Sequence, residues 1–561
     1  MIAHRSPVSG VDAVGDRLVA TAGYDNQVIL WNAGNKHPLA RVFHDHLVNQ
    51  CRFSADGRRL VTASSDYTAR VWSVPSMRLV SVLSEHDDDV EMAVFDPAGE
   101  RIATASRDAC VRIFENSGDL LHKLEGHGAD VISVEWAIGG RQVVSSSDDG
   151  TVRRWSAGTG ELLETLELDG VEVDTFVCDD AGRLYVGNDD GAIVCVAGGV
   201  RRNLRAHDAG IKRIVAGPGR RLVSTSYDRC AKVWQICDDG SLALQRKLEV
   251  PDVVWLRSVA FAGPDRLVFS TFGRTYASFD LVRGRWDLDD VGATPGINSV
   301  RIFDGEMYTV GDAGVVSRDG RPIADLHTLC NFLGHLGRIV VTGGQAGQLF
   351  DATTGDVLHE HWSPLNCSAT FAVGGLEHLL VGAYTGEGLL FLPGPAGRPE
   401  HHATIKLHDN AVKGLAATGR HVFSVCATGA AAFHAATDLR CLRQVRRGHD
   451  RIANGAIALP DGRFASVSRD RKLRLWSLDG HEVVPTPHDR SVKCVTLSRS
   501  GRLLATGSYG GEVAVYDWER QEWEGVKWPT ASGISSLAPA ECSEQFLASS
   551  YDGHVYRVGT P

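Results

Sequence analysis

One pattern returns along the whole of this chain every forty residues or so, and it limits the fold more than any other feature. One copy runs HDHLVNQCRFSADGRRLVTASSDYTARVW from His44 to Trp72; others run from His127 to Trp155 and from His449 to Trp476. Each holds alternating apolar positions broken by turns such as ADG, DDG and PDG, the pattern of short antiparallel strands. The unit ends can be followed through Trp31, Trp72, Phe114, Trp155, Val196, Trp234 and Phe279. They continue, less plainly, through Val316, Phe350, Phe391 and Phe433 to Trp476, Tyr516 and Val558. That makes fourteen units in 561 residues. The 61 glycines are spread evenly, which fits many tight turns and no long linker.

A period of ~40–45 residues, with a His near the start and an aromatic after a turn, resembles the WD-repeat family, whose units are four-stranded propeller blades. The resemblance is specific in units 1 to 6 and 12 and weaker in units 7 to 11. It implies an all-β fold. Fourteen blades in one ring would leave a wide, unfilled channel, so the expected arrangement is two tandem seven-bladed β-propellers, residues 1–290 and 291–561. The segment 283–296 would carry the last outer strand of the first ring and the crossing. One ring of fourteen, or a division into eight and six, remains the alternative. Only Gly559, Thr560 and Pro561 follow the last run of three inner strands, so the last blade should be three-stranded or completed from elsewhere in the chain.

The units repeat a Ser, a His and an Asp, the residue types of acyl transfer. The sets are His44, Ser64 and Asp66; His127, Ser147 and Asp149; His207, Ser226 and Asp228; and His449, Ser468 and Asp470. Four copies cannot all be active sites. By the family resemblance each set joins Trp72, Trp155, Trp234 or Trp476 in a structural tetrad. The indole N–H would donate to the Ser, the Ser to His, and His to Asp. A buried indole and a buried carboxylate both require such partners. Unit 3 ends in Phe114, which cannot donate, and unit 1 has Gly23 where the Ser is expected.

Charge is uneven. Residues 51–200 hold 13 Lys+Arg against 27 Asp+Glu, and residues 401–500 hold 16 against 8. A pI near 6.1 and the lack of interleaved aromatics disfavour nucleic-acid binding through the basic stretch. No apolar run approaches the ~18 residues of a membrane helix. The twelve cysteines form no C-x-x-C pair, which fits a reducing cytoplasm. No metal-ligand set, nucleotide-phosphate loop or cofactor motif is visible. Arginine outnumbers lysine 48 to 10, the coding bias of a GC-rich bacterial genome.

The resemblance implies a non-catalytic scaffold or sensor that binds other proteins, as in a bacterial signalling or defence assembly. A propeller enzyme, or a nucleic-acid binder using the basic stretch, is the alternative. In the family the residue before the turn Asp lies on the top face. Here these are Tyr24, Ser65, Arg107, Asp148, Asp189, Tyr227, Arg469 and Tyr551, with Tyr509 at the same place. Asp87, Asp88, Asp89 and Asp130 come from loops reaching that face. The expectation is an acidic rim on the first ring that receives a partner's basic segment, with the tyrosines as anchors.

Overall fold

The second strand of each unit explains the architecture. Leu18–Gly23, Arg59–Ser64, Arg101–Ser106 and Gln142–Ser147 consist mainly of small and β-branched residues, buried along almost their whole length. A strand buried on both sides needs a sheet covered front and back. The fourth strand is the opposite, as in the largely exposed LLETLE of Leu162–Glu167. Each unit thus runs from a dry inner part to a solvated outer edge.

The structure, a computed structural model, describes residues 2–179, 181–542 and 544–559. Consecutive strands pair antiparallel into thirteen four-stranded sheets and one three-stranded sheet, each in simple meander order. All fourteen unit-ending residues of the repeat lie on third strands, from Trp31 in Gln27–Asn32 to Val558 in Val555–Gly559. The chain divides into two compact units, Met1–Thr294 and Pro295–Pro561, with seven sheets in each. The fold is all-β, a tandem of WD-type propellers. We number blades 1 to 7 in the first unit and 8 to 14 in the second.

In the first unit, blade 1 packs directly on blade 7. Val8 and Val11 share a core with Ala260, Ala262, Val268 and Tyr276, and the Val11 N–H donates to Ser258 Oγ at 3.1 Å. The ring closes without exchange of a strand. In the second unit, blade 14 has the three strands Ile534–Pro539, Gln545–Ser550 and Val555–Gly559. Its closing core is small: Val300 of blade 8 meets Ala538, Ala540 and Leu547. Of the two endings expected for the last blade, the three-stranded one is found among the described residues.

One local feature repeats that the sequence pattern does not announce. The first strand slips by one residue near its start, between Val48 and Gln50 or Ile211 and Arg213, for example. In the second unit the slip occurs in all seven blades. The bulge leaves one residue per blade out of the ladder and re-aims its side chain.

Candidate functional site

The repeated polar networks are present, but the hydroxyl is not the expected one. Trp72 Nε1 donates to Thr62 Oγ1 at 2.9 Å, and His44 Nε2 lies 2.7 Å from the same oxygen. His44 Nδ1 is 2.9 Å from Asp66. The hydroxyl is Ser145 for His127 and Trp155, Ser224 for His207 and Trp234, and Ser466 for His449 and Trp476. Ser64, Ser147, Ser226 and Ser468, two residues later, play another part. Each donates to a carbonyl of the preceding loop, Leu47, Ala129, Ala209 and Arg451 respectively. Each also accepts the N–H of the turn Asp. The register explains the difference. Thr62 pairs with Arg70, two residues from Trp72, so the indole reaches it diagonally; Ser64 lies two residues further along, beyond the Ala63–Ala69 pair.

Unit 1 therefore has a full network, Trp31–Thr21–His4–Asp25, and Gly23 replaces only the second hydroxyl. Unit 13 recruits Glu512, which meets His488 at 3.0 Å in place of the turn Asp. Blade 3 and blade 12 each add an arginine: Arg112 and Arg474 each reach both the His and the Asp, while His86 stays 2.9 Å from Asp108 and His449 lies 3.5 Å from Asp470. Burial would push Asp66, Asp149 and Asp470 upward, yet their histidine and other partners win and hold them well below the carboxylate range. Burial lowers His44 and His449. Each network hydroxyl already accepts a hydrogen bond from the indole N–H.

The residues expected on the top face do occupy one equivalent position. Each donates its N–H to the loop just before the first strand of its own blade. Tyr24 bonds Pro7, Ser65 Leu47, Arg107 Asp89, Asp148 Asp130, Asp189 Glu172 and Tyr227 Gly210. Arg469, Tyr509 and Tyr551 do the same with Ile452, Ser491 and Gly533. Phe272, Asp312, Gln345, Tyr384 and Ala427 hold this position in the remaining blades. Tyr384 is legible afterwards in GAYTGEG, which parallels GSYGGEV around Tyr509.

Residues of non-neighbouring blades meet at the axis of the first ring. Arg257 of blade 7 lies 3.2 Å from Glu91 of blade 3, and Arg52 of blade 2 lies 3.6 Å from Glu135 of blade 4. Around this axis the carboxylates are not a solvated rim. Asp87 is exposed, but Asp88 and Asp89 are buried, because the loop turns inward and Asp88 Oδ1 accepts the Asp89 N–H. Arg107 binds Glu91 at 2.5 Å and Asp130 at 2.6 Å. Lys212 binds Asp189 at 3.0 Å as well as Asp174, and stands 4.4 Å from the ring centre of Tyr227. Burial, and then Asp174 and Asp130, push the Asp148 carboxyl well up; burial with Asp189 and Asp174 raises Glu172 to about 7. Tyr24 packs edge-on against Trp255, which stacks on Phe272.

The second ring differs in chemistry at the same positions. Lys413 Nζ lies 4.0 Å from the ring centre of Tyr384, and Arg469 lies 5.5 Å from that of Tyr509. Tyr509 stacks with Tyr551 at 6.4 Å. Elsewhere in the basic stretch two arginines are engaged internally. Arg474 is buried in its tetrad, and Arg443 donates to the Leu478 carbonyl. Among the described residues no group of three His, Cys, Asp or Glu is arranged to hold a metal. None of their helices is long and apolar enough to cross a membrane.

Comparison with known proteins finds WD-type repeats in part of the chain. Six segments match the model described as WD domain, G-beta repeat: residues 38–73, 77–115, 118–156, 198–235, 440–477 and 481–517. Each matched segment begins near the outer strand of one blade and ends on the third strand of the next or one residue past it, as 38–73 and 440–477 do. The chain is 26% identical over 256 residues to WD repeat-containing protein 37 of Mus musculus, covering 42% of this chain and 49% of that protein. It is 32% identical over 241 residues to WD repeat-containing protein 37 of Xenopus laevis, covering 39% and 46%. A guanine nucleotide-binding protein subunit beta-like protein of Encephalitozoon cuniculi (strain GB-M1) is 23% identical over 302 residues, covering 46% and 90%. The chain thus spans about half the length of the WD repeat-containing protein 37 relatives it matches. These relatives are eukaryotic, in contrast to the bacterial origin suggested by composition.

Proposed function

We propose that the chain is a non-catalytic interaction scaffold, at work in the cytoplasm, and that the axial mouth of its first ring receives a basic segment of a partner protein. The observation that carries this reading is the charge at that mouth. Glu91, Asp130, Asp148, Glu172, Asp174 and Asp189 face three cations, Arg107, Lys212 and Arg257, so acid exceeds base. Burial beside like charge makes the surplus unfavourable in the free protein, and an incoming cation relieves it. Tyr24, Tyr227 and Trp255 supply apolar area around it. The non-catalytic part of the reading is supported by the tetrads. Their hydroxyls are buried and bound by an indole, so they cannot reach a substrate carbonyl.

The test compares parent with Asp148→Asn/Glu172→Gln, which neutralises two of the surplus carboxylates with little change of shape. Partners captured at 0.15 M salt by the parent should be released as salt rises, and the variant should fail to retain them. If the variant captures the same partners at the same salt, the acidic mouth is not where they bind.

A further inference from the structure

The bulge residues of the second ring form a nearly complete circle of inter-blade bonds. Asn298 donates to the Cys330 carbonyl at 3.0 Å, Asn331 to Leu365 at 2.8 Å, Asn366 to Val412 at 2.8 Å and Asn454 to Val492 at 2.8 Å. Ser535 of blade 14 donates to Ile297 of blade 8 and closes the circle. In every case the acceptor is the first residue of the next blade's first strand. Two positions break the series. Lys413 stands in blade 11 and Lys493 in blade 13, and among the described residues neither makes the corresponding bond, to Ala453 or Ile534. Their ammonium groups instead face tyrosine rings, Tyr384 at 4.0 Å and Tyr509 at 6.0 Å.

The first ring shows what a lysine at this position ordinarily has. Lys212 sits at the same bulge in blade 6 and likewise faces a tyrosine, but it is ion-paired to Asp174 and Asp189. Lys413 and Lys493 have no carboxylate within ion-pair distance among the described residues. Their field falls on phenols. Burial pushes Tyr384 and Tyr509 up, yet the lysines, joined at Tyr509 by Arg469, outweigh it and bring both down.

We propose that the axial mouth of the second ring binds a phosphate-class dianion, held by Lys413 and Lys493 with Arg469 beside them and the phenols of Tyr384, Tyr509 and Tyr551 at its edge. A dianion matches two compact ammonium charges, where a single carboxylate would leave one uncompensated. The ligand supplies what Asp174 and Asp189 supply to Lys212. This site is separate from the acidic mouth of the first ring and stands without it.

The test is calorimetric titration of the full chain at low ionic strength with orthophosphate, a phosphoserine peptide and the same peptide without phosphate. The probes separate a free dianion from one presented on a protein. The decisive variant is Lys413→Asn/Lys493→Asn, which gives both positions the residue found in blades 8, 9, 10 and 12. Phosphate or phosphopeptide should bind the parent saturably and the variant at least tenfold more weakly. The variant's melting temperature should be equal or higher, since asparagine restores the two missing inter-blade bonds. Added phosphate should also move the phenol titration of the parent, followed at 295 nm, to higher pH. Should the asparagine pair fold poorly, Lys413→Met/Lys493→Met gives the same binding comparison. Absence of saturable binding by the parent would overturn the proposal, as would unchanged affinity in the variants. Tighter binding of a single-stranded oligonucleotide, lost in the same variants, would replace a monoester site with a nucleic-acid one.

Discussion

The two rings share a blade plan but are tied together differently. In the first, blades 1, 2, 4 and 6 have a complete Trp–hydroxyl–His–Asp network, which anchors the turn and the incoming loop to the inner strands. In the second, among the described residues, only blade 12 has all four members. There the asparagines at the bulges of blades 8, 9, 10 and 12 bind each of these blades to the next beside the axis. The first ring has one such asparagine, Asn49, which donates to Val90 at 3.0 Å. The same requirement, that buried polar groups find partners, is met in the first ring mostly by the networks within blades, with Ser9 and Asn49 as bulge residues bonded to the next blade, and in the second ring more often between blades. This difference leaves the axial positions of the first ring to charged residues, and in the second it singles out the two lysines.

Acid should separate the rings most. In the second ring His408 and His434 are buried; burial, with their mutual repulsion at His408, lowers both to about 4 from 6.5. The unfolded chain takes up these protons below about pH 6.5, the folded chain only near 4. Stability therefore falls as pH drops through that window, by up to about 1.4 kcal/mol per pH unit for each histidine. Glu172 of the first ring runs the other way. Raised to about 7 from 4.5, it binds its proton in the folded chain first, so stability rises as pH falls from 7 toward 4.5. Urea unfolding at pH 7.5 and 5.0 should show His434→Leu losing less stability on acidification than the parent. Glu172→Gln should stabilise at pH 7.5 and make little difference at 5.0. Equal acid losses in parent and His434→Leu would break this contrast.

Next comes the identity of the network hydroxyl. Ser145→Ala strands the Trp155 indole N–H and His127 Nε2 inside blade 4 and should destabilise by about 1–3 kcal/mol. Ser147→Ala removes a hydroxyl bonded to the Ala129 carbonyl and the Asp149 N–H, and should cost about 1 kcal/mol. Thermal melts of the two variants should rank in that order. The reverse order would return the hydroxyl role to the later serine.

That pair also marks what a sequence can disclose. The repeat length and the turn signatures located every third strand, and the chemistry of buried indole and carboxylate required a network. Thr62 and Ser64 could not be told apart, since residues two apart share a strand face and only the cross-strand register separates them. Pairing of the acidic residues was equally hidden. Arg107 meets Asp130 from the next blade, and Arg257 reaches Glu91 across the axis, 166 positions away. A count of charge along the chain registers these as an acidic stretch, although three cations stand among them. Asn366 and its counterparts look like ordinary strand residues until the bulge takes them out of the ladder.

The smallest expected effect tests the inter-blade bonds themselves. Asn366→Ala removes one donor to the Val412 carbonyl, while leaving the bulge and both cores intact. An acceptor close to the axis can turn to water, so the loss should be only about 0.5–1.5 kcal/mol, below that of Ser145→Ala. Asn49→Ala in the first ring should cost at least as much, because Asn49 also donates to Ser65 and accepts from Arg257. Asn331→Ala and Asn366→Ala lie on successive links of one circle, so their combined effect should exceed the sum if the ring behaves as a closed chain. Simple additivity would mean that each asparagine serves only its own pair of blades. No loss at all in Asn366→Ala would mean that water replaces the bond at no cost. In that case an asparagine at 413 or 493 would bring no stability to set against the lysine it replaces, and the melting-temperature gain expected of that variant would disappear.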